Sequence, residues 1–202
     1  MITKTYRIVQ VLSYLYFKIF HRLEINGLDR IPSNNGFILA SNHLSFLDPP
    51  LAGCKVKRNL HYFARDSLFK GPLGFLIKRL NSIPVNRGQL DLGTLKRTLK
   101  VLRDGHPLLV FPEGTRSMDG SIGPSKKGLG LLVIKSKCPV LPVRIKGSYE
   151  VLGKGKILPR IGRKLSITYG SLIPFDSLCP SPVDKDSYEQ ISNRVMSEIS
   201  NL

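Results

Sequence analysis

Two short apolar runs, Gly36-Phe37-Ile38-Leu39-Ala40 and Pro107-Leu108-Leu109-Val110-Phe111, most constrain what this chain can fold into. Neither alternates with polar residues, so each reads as a strand buried on both faces rather than on one. Val140 to Ile145 and Leu165 to Tyr169 are further strand candidates. Between them, Asp91 to Arg103 carries Leu92, Leu95, Leu99 and Leu102 at helical spacing and ends at Gly105. The tail from Asp186, with Glu189 three residues on and then Ile191, Val195, Ile199 and Leu202, predicts a capped amphipathic helix. Alternating strand and helix signals predict a three-layer α/β domain whose mixed, largely parallel sheet is flanked by helices. With 202 residues, 42% of them hydrophobic, there is enough apolar surface for one sizeable core, and no repeat or linker divides the chain.

Each apolar run stops at a polar segment, Ser41 to Asp48 after the first and Pro112 to Ser117 after the second. In open α/β sheets ligands collect beyond the carboxyl ends of strands, so the two segments are expected to face one cleft. The first holds His43 and Asp48. An imidazole acts as a base when a partner fixes its tautomer, and Asp48 can accept a hydrogen bond from one ring nitrogen while the other stays free. Pro49-Pro50 prevents a regular continuation and holds the carboxylate in place. Asn42 and Ser45 are short side chains suited to pinning a turn. The spacing alone does not select this pair, since His61 and Asp66 stand in the same relation. Tyr62-Phe63-Ala64 reads as strand interior, however, so His61 is expected to be packed or solvent-facing, as are His21 and His106.

The second segment, Phe111-Pro112-Glu113-Gly114-Thr115-Arg116-Ser117, supplies a carboxylate, a glycine that lets backbone approach a ligand, and a guanidinium able to grip a phosphate with two hydrogen bonds. Arg87, in Ile83-Pro84-Val85-Asn86-Arg87-Gly88, offers a second such group, although an isolated Arg is more often a surface or ion-pair residue. Other chemistries lack their signatures. There is no Gly-x-Ser-x-Gly elbow, and Gly123 to Gly128 continues into Leu129-Gly130 rather than the Lys-Ser/Thr of a P-loop. No His-Glu-x-x-His or Cys/His cluster suggests a metal. Cys54, Cys138 and Cys179 are too few and too scattered for a disulfide framework, which favours a reducing setting. A base without a nucleophile of its own points to a hydroxyl brought by the substrate.

Net charge is +17, and the excess is localised: Cys54 to Lys100 holds eleven Lys/Arg against Asp66 and Asp91, and Lys126 to Lys164 another eleven against Glu150 alone. Such blocks imply an anionic partner, and nucleic acid, anionic lipid headgroups and phosphorylated metabolites all qualify. A nucleic-acid module would account for the charge alone, because no nucleic-acid fold signature or interleaved stacking aromatics accompany it. At the N-terminus, Ile2, Tyr6, Val9, Leu12, Tyr16, Ile19 and Phe20 fall near one helical face, with Lys4, Arg7 and Lys18 beside them. The charge-free run, Ile8 to Phe17, is about half of the ~20 residues that span a bilayer. No small-residue cleavage site follows, so residues 1–22 are expected to form an amphipathic helix at a membrane interface rather than a signal peptide or a span.

Taken together the residues resemble the glycerolipid acyltransferase family, most closely its bacterial 1-acyl-sn-glycerol-3-phosphate acyltransferases. Four ordered blocks, within roughly residues 24 to 170, carry the likeness. The Asn-His-x-Ser-x-x-Asp block is met by Asn42, His43, Ser45 and Asp48. The second resembles Ala64-Arg65-Asp66-Ser67-Leu68-Phe69, running on through Gly74-Phe75 to Ile83-Pro84-Val85-Asn86-Arg87. Phe-Pro-Glu-Gly-Thr-Arg-Ser is unaltered at Phe111 to Ser117, followed by Lys126-Lys127-Gly128, and Pro139-Val140-Leu141-Pro142-Val143 is the fourth. Two positions depart: Arg65-Asp66-Ser67-Leu68 stands where Lys-x-Glu-Leu is usual, and Ser125 where Phe commonly precedes Lys-Lys-Gly.

The resemblance implies an acyltransferase domain over residues 23–202. His43, oriented by Asp48, would take the proton from the sn-2 hydroxyl of lysophosphatidate as it attacks the thioester of acyl-CoA or acyl-carrier protein. Arg87 and Arg116 would hold the acceptor phosphate, with Glu113, Gly114 and Thr115 shaping that pocket. No cofactor beyond the acyl donor and no metal is expected, and the partners are the two substrates and an anionic membrane surface rather than nucleic acid. Glycerol-3-phosphate or another lysolipid is the alternative acceptor. The expected location is peripheral or monotopic at the cytoplasmic face of a membrane.

Overall fold

A computed structural model describes residues 4–85, 91–184 and 186–202. Seven strands form one sheet: β1 (Arg22–Asn26), β2 (Ile38–Ser41), β3 (His61–Arg65), β4 (Ser82–Val85), β5 (Leu108–Val110), β6 (Val140–Lys146) and β7 (Lys164–Tyr169). Their order is β1-β7-β6-β2-β5-β3-β4. The five strands from β6 to β4 are mutually parallel, and β7 is antiparallel to β6 and carries β1 parallel to itself. The mixed, largely parallel sheet expected from the apolar runs is therefore present.

Eight α-helices accompany the sheet among the described residues: α1 (Lys4–Phe20), α2 (Asp48–Gly53), α3 (Gly71–Arg79), α4 (Leu92–Arg103), α5 (Gly128–Ser136), α6 (Ser148–Leu152), α7 (Phe175–Leu178) and α8 (Ser187–Asn201). Strand β2 shows why the layers form. Phe37 and Leu39 join a core with Tyr6 and Phe17 of α1 and Leu51 of α2, whereas Ile38 and Ala40 join a second core with Leu102 of α4, Leu129 of α5 and Ile191 of α8. Alternate side chains of one strand thus feed both faces, and a run with no polar position is what that requires. Close packing of the second layer depends on Gly130, where a Cβ would stand 2.0 Å from Tyr188 O.

Several local expectations are corrected. Helix α4 buries Thr94, Thr98 and Leu102, leaving Leu92 exposed and Leu95 half-buried. Its cap is Asp91, whose carboxylate accepts from Thr94 N–H at 2.8 Å. Asp186 is the N-cap of helix α8 but makes no side-chain cap bond; that role falls to Asp184, which accepts from Ser187 N–H at 2.8 Å and from the Ser187 hydroxyl at 2.7 Å. Strand β4 includes Pro84, tolerated because β4 is an edge strand.

Helix α1 is more deeply engaged than an appendage would be. Tyr6, Gln10 and Phe17 are buried, Gln10 Nε2 donates to Gly53 O at 2.8 Å and Val56 O at 2.6 Å, and the Tyr6 and Tyr62 hydroxyls are 2.9 Å apart. Ile8, Leu12, Leu15 and Ile19 form an exposed stripe at helical spacing. The expected apolar face is therefore divided, Tyr6 inward and Leu12 and Ile19 outward, while Ile2 lies outside the described residues. Among the described residues no helix is long and apolar enough to cross a membrane.

Candidate active site

The parallel pairing of β2 with β5 delivers both polar segments to one edge of the sheet. The backbones then interlock: Ser117 N–H donates to His43 O at 2.8 Å, and His43 N–H donates to Glu113 Oε1 at 3.3 Å. The imidazole lies on the Phe111 ring, centroids 3.9 Å apart and planes at 13°, so the residue ending one apolar run supports the histidine that follows the other.

His43 Nδ1 stands 2.9 Å from Asp48 Oδ2. Asp48 is wholly buried, and the same oxygen accepts from Leu44 N–H at 2.6 Å and Ser45 N–H at 2.7 Å. An ionised carboxylate only accepts, so Nδ1 carries the proton in that bond and Nε2 keeps its lone pair. Pro49 and Pro50 open α2 directly after Asp48. The turn is pinned on both flanks. Asn42 Nδ2 donates to Ile145 O at 2.9 Å while Ile145 N–H donates to Asn42 Oδ1 at 2.8 Å, and the Ser45 hydroxyl donates to Leu152 O at 2.7 Å.

His61 has none of this. It begins β3 paired with Leu108, the first residue of β5, and therefore sits at the amino edge of the parallel strands, away from His43. Its Nδ1 lies 3.2 Å from Asn59 O, its ring faces that of His106 at 5.1 Å, and burial followed by the charge of His106 lowers its pKa.

On the loop after β5, Arg116 lays its guanidinium 3.5 Å from the Phe46 ring centroid. Its Nη1 is buried without a hydrogen-bond partner among the described residues, and burial pulls its pKa down. Beside it a cavity of about 300 Å3 is lined by Glu113, Thr115, Arg116, Ser117 and Lys126, among others. Gly114 turns the loop with φ +66°, and a Cβ there would come within 3.0 Å of Lys126 Cδ. Glu113 is buried, and desolvation raises its pKa to about 7; its bond from the His43 amide opposes that shift and the nearby Asp48 adds to it. The carboxylate expected to shape a ligand pocket thus also braces the His43 backbone. Arg87 lies outside the described residues. Among the described residues, no group of three or more His, Cys, Asp or Glu side chains is disposed to hold a metal ion.

Sequence reasoning identified Asn42 and Ser45 as turn-pinning residues but not their partners Ile145 and Leu152. Phe46, Phe111 as a stacking platform, and Arg144, whose charge acts on Glu113, were also missed. For Phe111 a signal exists, since an aromatic at the end of a buried strand beside the segment that holds a histidine is placed to cover its ring.

The family model described as Acyltransferase matches residues 22–146. The chloroplastic 1-acyl-sn-glycerol-3-phosphate acyltransferase BAT2 of Brassica napus is 32% identical over 146 residues, 69% of this chain and 40% of that protein. The 1-acyl-sn-glycerol-3-phosphate acyltransferase of Bacillus subtilis is 27% identical over 148 residues, 71% of this chain and 73% of that protein. The chain spans about two fifths of the length of the two chloroplastic relatives it matches, at 40% and 38%. The crystal structure of the 1-acyl-sn-glycerophosphate acyltransferase PlsC from Thermotoga maritima superposes with a TM-score of 0.80 at 25% identity, covering 97% of this chain and 78% of that one.

Proposed function

The chain belongs to the Acyltransferase family, and on that premise we propose that it transfers a fatty acyl group from an acyl thioester to the sn-2 hydroxyl of 1-acyl-glycerol-3-phosphate, giving phosphatidic acid. The observation that carries this reading is the 2.9 Å contact of His43 with buried Asp48, beside a loop that offers Arg116; among the described residues the imidazole has no hydrogen bond to a serine, threonine or cysteine side chain. His43 Nε2 takes the hydroxyl proton as the acceptor oxygen attacks the thioester carbonyl. The tetrahedral intermediate collapses with cleavage of the C–S bond, and the imidazolium returns the proton to the departing thiolate, leaving an ester and a thiol. Asp48 supports the imidazolium between these steps and holds its tautomer.

Arg116 and Arg87 hold the acceptor phosphate, the first supported by its unpaired Nη1. Glu113 acts as a positioning residue through the His43 amide, and Gly114 and Thr115 shape the pocket. The donor is acyl-CoA or acyl-carrier protein, both anionic, and the two basic blocks concentrate either one. The exposed stripe of α1, flanked by Lys4, Arg7 and Lys18, fits a helix lying at a membrane surface, where a lipid acceptor resides.

Incubation of lysophosphatidate with acyl-CoA and a thiol reagent tests the reading. Release of CoA is expected in the native chain and not in His43→Ala. A panel replacing lysophosphatidate by glycerol-3-phosphate or another lysolipid at fixed donor tests the acceptor, and faster turnover with one of these would reassign it. Full turnover in His43→Ala would remove the proposed base.

A further inference from the structure

We propose that the loop joining α6 to β7, residues 153–163, inserts into an anionic bilayer beside the C-terminal end of α1. It deepens the membrane reading of α1 and rests on that reading for the class of partner. Three aliphatic side chains in this loop are open to solvent: Ile157 is 90% exposed, Leu158 79% and Ile161 66%. A single exposed aliphatic is ordinary, but three within five residues make a patch that a partner must cover. Lys154, Lys156, Arg160 and Arg163 alternate with them, and among the described residues none of these four forms an ion pair with a carboxylate. Aliphatic tips framed by unneutralised cations suit the boundary between acyl chains and anionic headgroups, whereas a purely polar polyanion would leave the aliphatics uncovered.

The loop's placement gives this contact a consequence. Strand β6 runs toward the edge where His43 stands and β7 returns from it, so the loop leaves the sheet on the site's side. Arg160 N–H donates to Val151 O at 2.9 Å and Gly162 N–H to Phe20 O at 2.9 Å. The second bond sets Ile161 beside Phe20 and extends the exposed stripe of α1 that ends at Ile19. Two more bonds tie this region to the site: the Ser45 hydroxyl donates to Leu152 O, and the Tyr149 hydroxyl to Met118 O on the Arg116 loop, each at 2.7 Å. Lys156 Nζ lies 5.2 Å from the Tyr149 ring centroid. A bilayer holding the loop and α1 together orients the cleft toward the lipid phase through these bonds.

The chain contains no tryptophan, so Leu158→Trp introduces a single emitter. The full chain is mixed with phosphatidylcholine vesicles, with or without about 30% phosphatidylglycerol. The expected result is a blue shift with the anionic vesicles and quenching by lipids brominated on the acyl chain. Leu28→Trp, beyond the far end of β1, should show neither effect. No shift at Leu158→Trp, or an equal shift at Leu28→Trp, overturns the proposal. A shift produced by acidic acyl-carrier protein but not by vesicles also overturns it, by assigning the loop to a protein partner. The variant Ile157→Ser/Leu158→Ser/Ile161→Ser should partition onto anionic vesicles about tenfold or more weakly while keeping native turnover of a water-soluble, short-chain lysophosphatidate. Undiminished partitioning overturns the insertion. Absence of that turnover in the unaltered chain would count against the proposed reaction and leave the emission result standing.

Discussion

The side-chain amide of Asn42 grips the peptide of Ile145 from both sides, donating to its carbonyl at 2.9 Å and accepting from its N–H at 2.8 Å across a separation of 103 residues. It extends the pairing of β2 with β6 one step beyond Ser41 and holds the turn that carries His43. Both partners are buried, so Asn42→Ala leaves a backbone donor and acceptor unpaired. At about 1–3 kcal/mol for each group, a loss of about 2–6 kcal/mol is expected. Urea unfolding should show a lower midpoint with an unchanged slope, and turnover should fall even where the protein remains folded.

The two His-x4-Asp pairs should separate cleanly in kinetics. His43→Ala is expected to lower kcat/KM by about 10^2 to 10^4-fold, the range for loss of a positioned base. His61→Ala, at the other edge of the parallel strands, should leave kcat/KM close to native. Asp48→Asn retains the volume but can donate toward Nδ1, upsetting the tautomer, so it should lower kcat with little effect on the acceptor KM.

Arg116→Ala should raise the acceptor KM about ten- to a hundredfold, as expected when a charge-assisted bond to phosphate is removed. Arg116→Lys should recover only part of this, because an ammonium cannot reproduce the planar fork or lie flat on Phe46. Steady-state kinetics against lysophosphatidate concentration provides the measurement.

Glu113 makes stability depend on pH in a definite direction. Burial raises its folded pKa to about 7, above the ordinary 4.5, so the folded state holds a proton that the unfolded chain releases. Its contribution is therefore greatest below about pH 4.5, declines as pH rises, and levels off above about pH 7. Glu113→Gln preserves an acceptor for the His43 amide but cannot titrate. Its unfolding free energy should vary less between about pH 4.5 and 7 than that of the native chain.

Helix α1 should prove integral to the domain. Phe17 is 1% exposed within the core that contains Leu39 and Tyr169, so Phe17→Ala should cost about 3–5 kcal/mol. Deletion of residues 1–20 also removes Gln10, the side-chain donor to Gly53 O and Val56 O, and should lower Tm by more than the single substitution does.

Elements whose pattern is set by burial on both faces were legible from the chain alone. Phe37 to Ala40 and Leu108 to Val110 could only be covered strands, and Ile191, Val195 and Ile199 could only line a helix face. Elements at the margin were not. Strand β1 alternates exposed and half-buried residues at the edge of the sheet, and β4 contains a proline, so neither shows a long apolar run. The face that α1 turns inward was not legible because the helix is apolar on more than one side, and only docking against α2 and β1 selects Tyr6, Gln10 and Phe17.

The sequence by itself determined the kind of sheet, the ends of its two central strands, and the residue types of the site: a histidine, a carboxylate five residues on, and an arginine on a second loop. Those features are local, because strand periodicity, proline placement and short-range spacing are properties of neighbouring residues. The tertiary structure alone decided which atoms meet. Phe111 lies under His43, Glu113 reaches the His43 amide, and Ile145 closes on Asn42 because β5 and β6 flank β2. Strand order is set by the packing of the whole core, so contacts between segments 70 or 103 residues apart are not written in either segment.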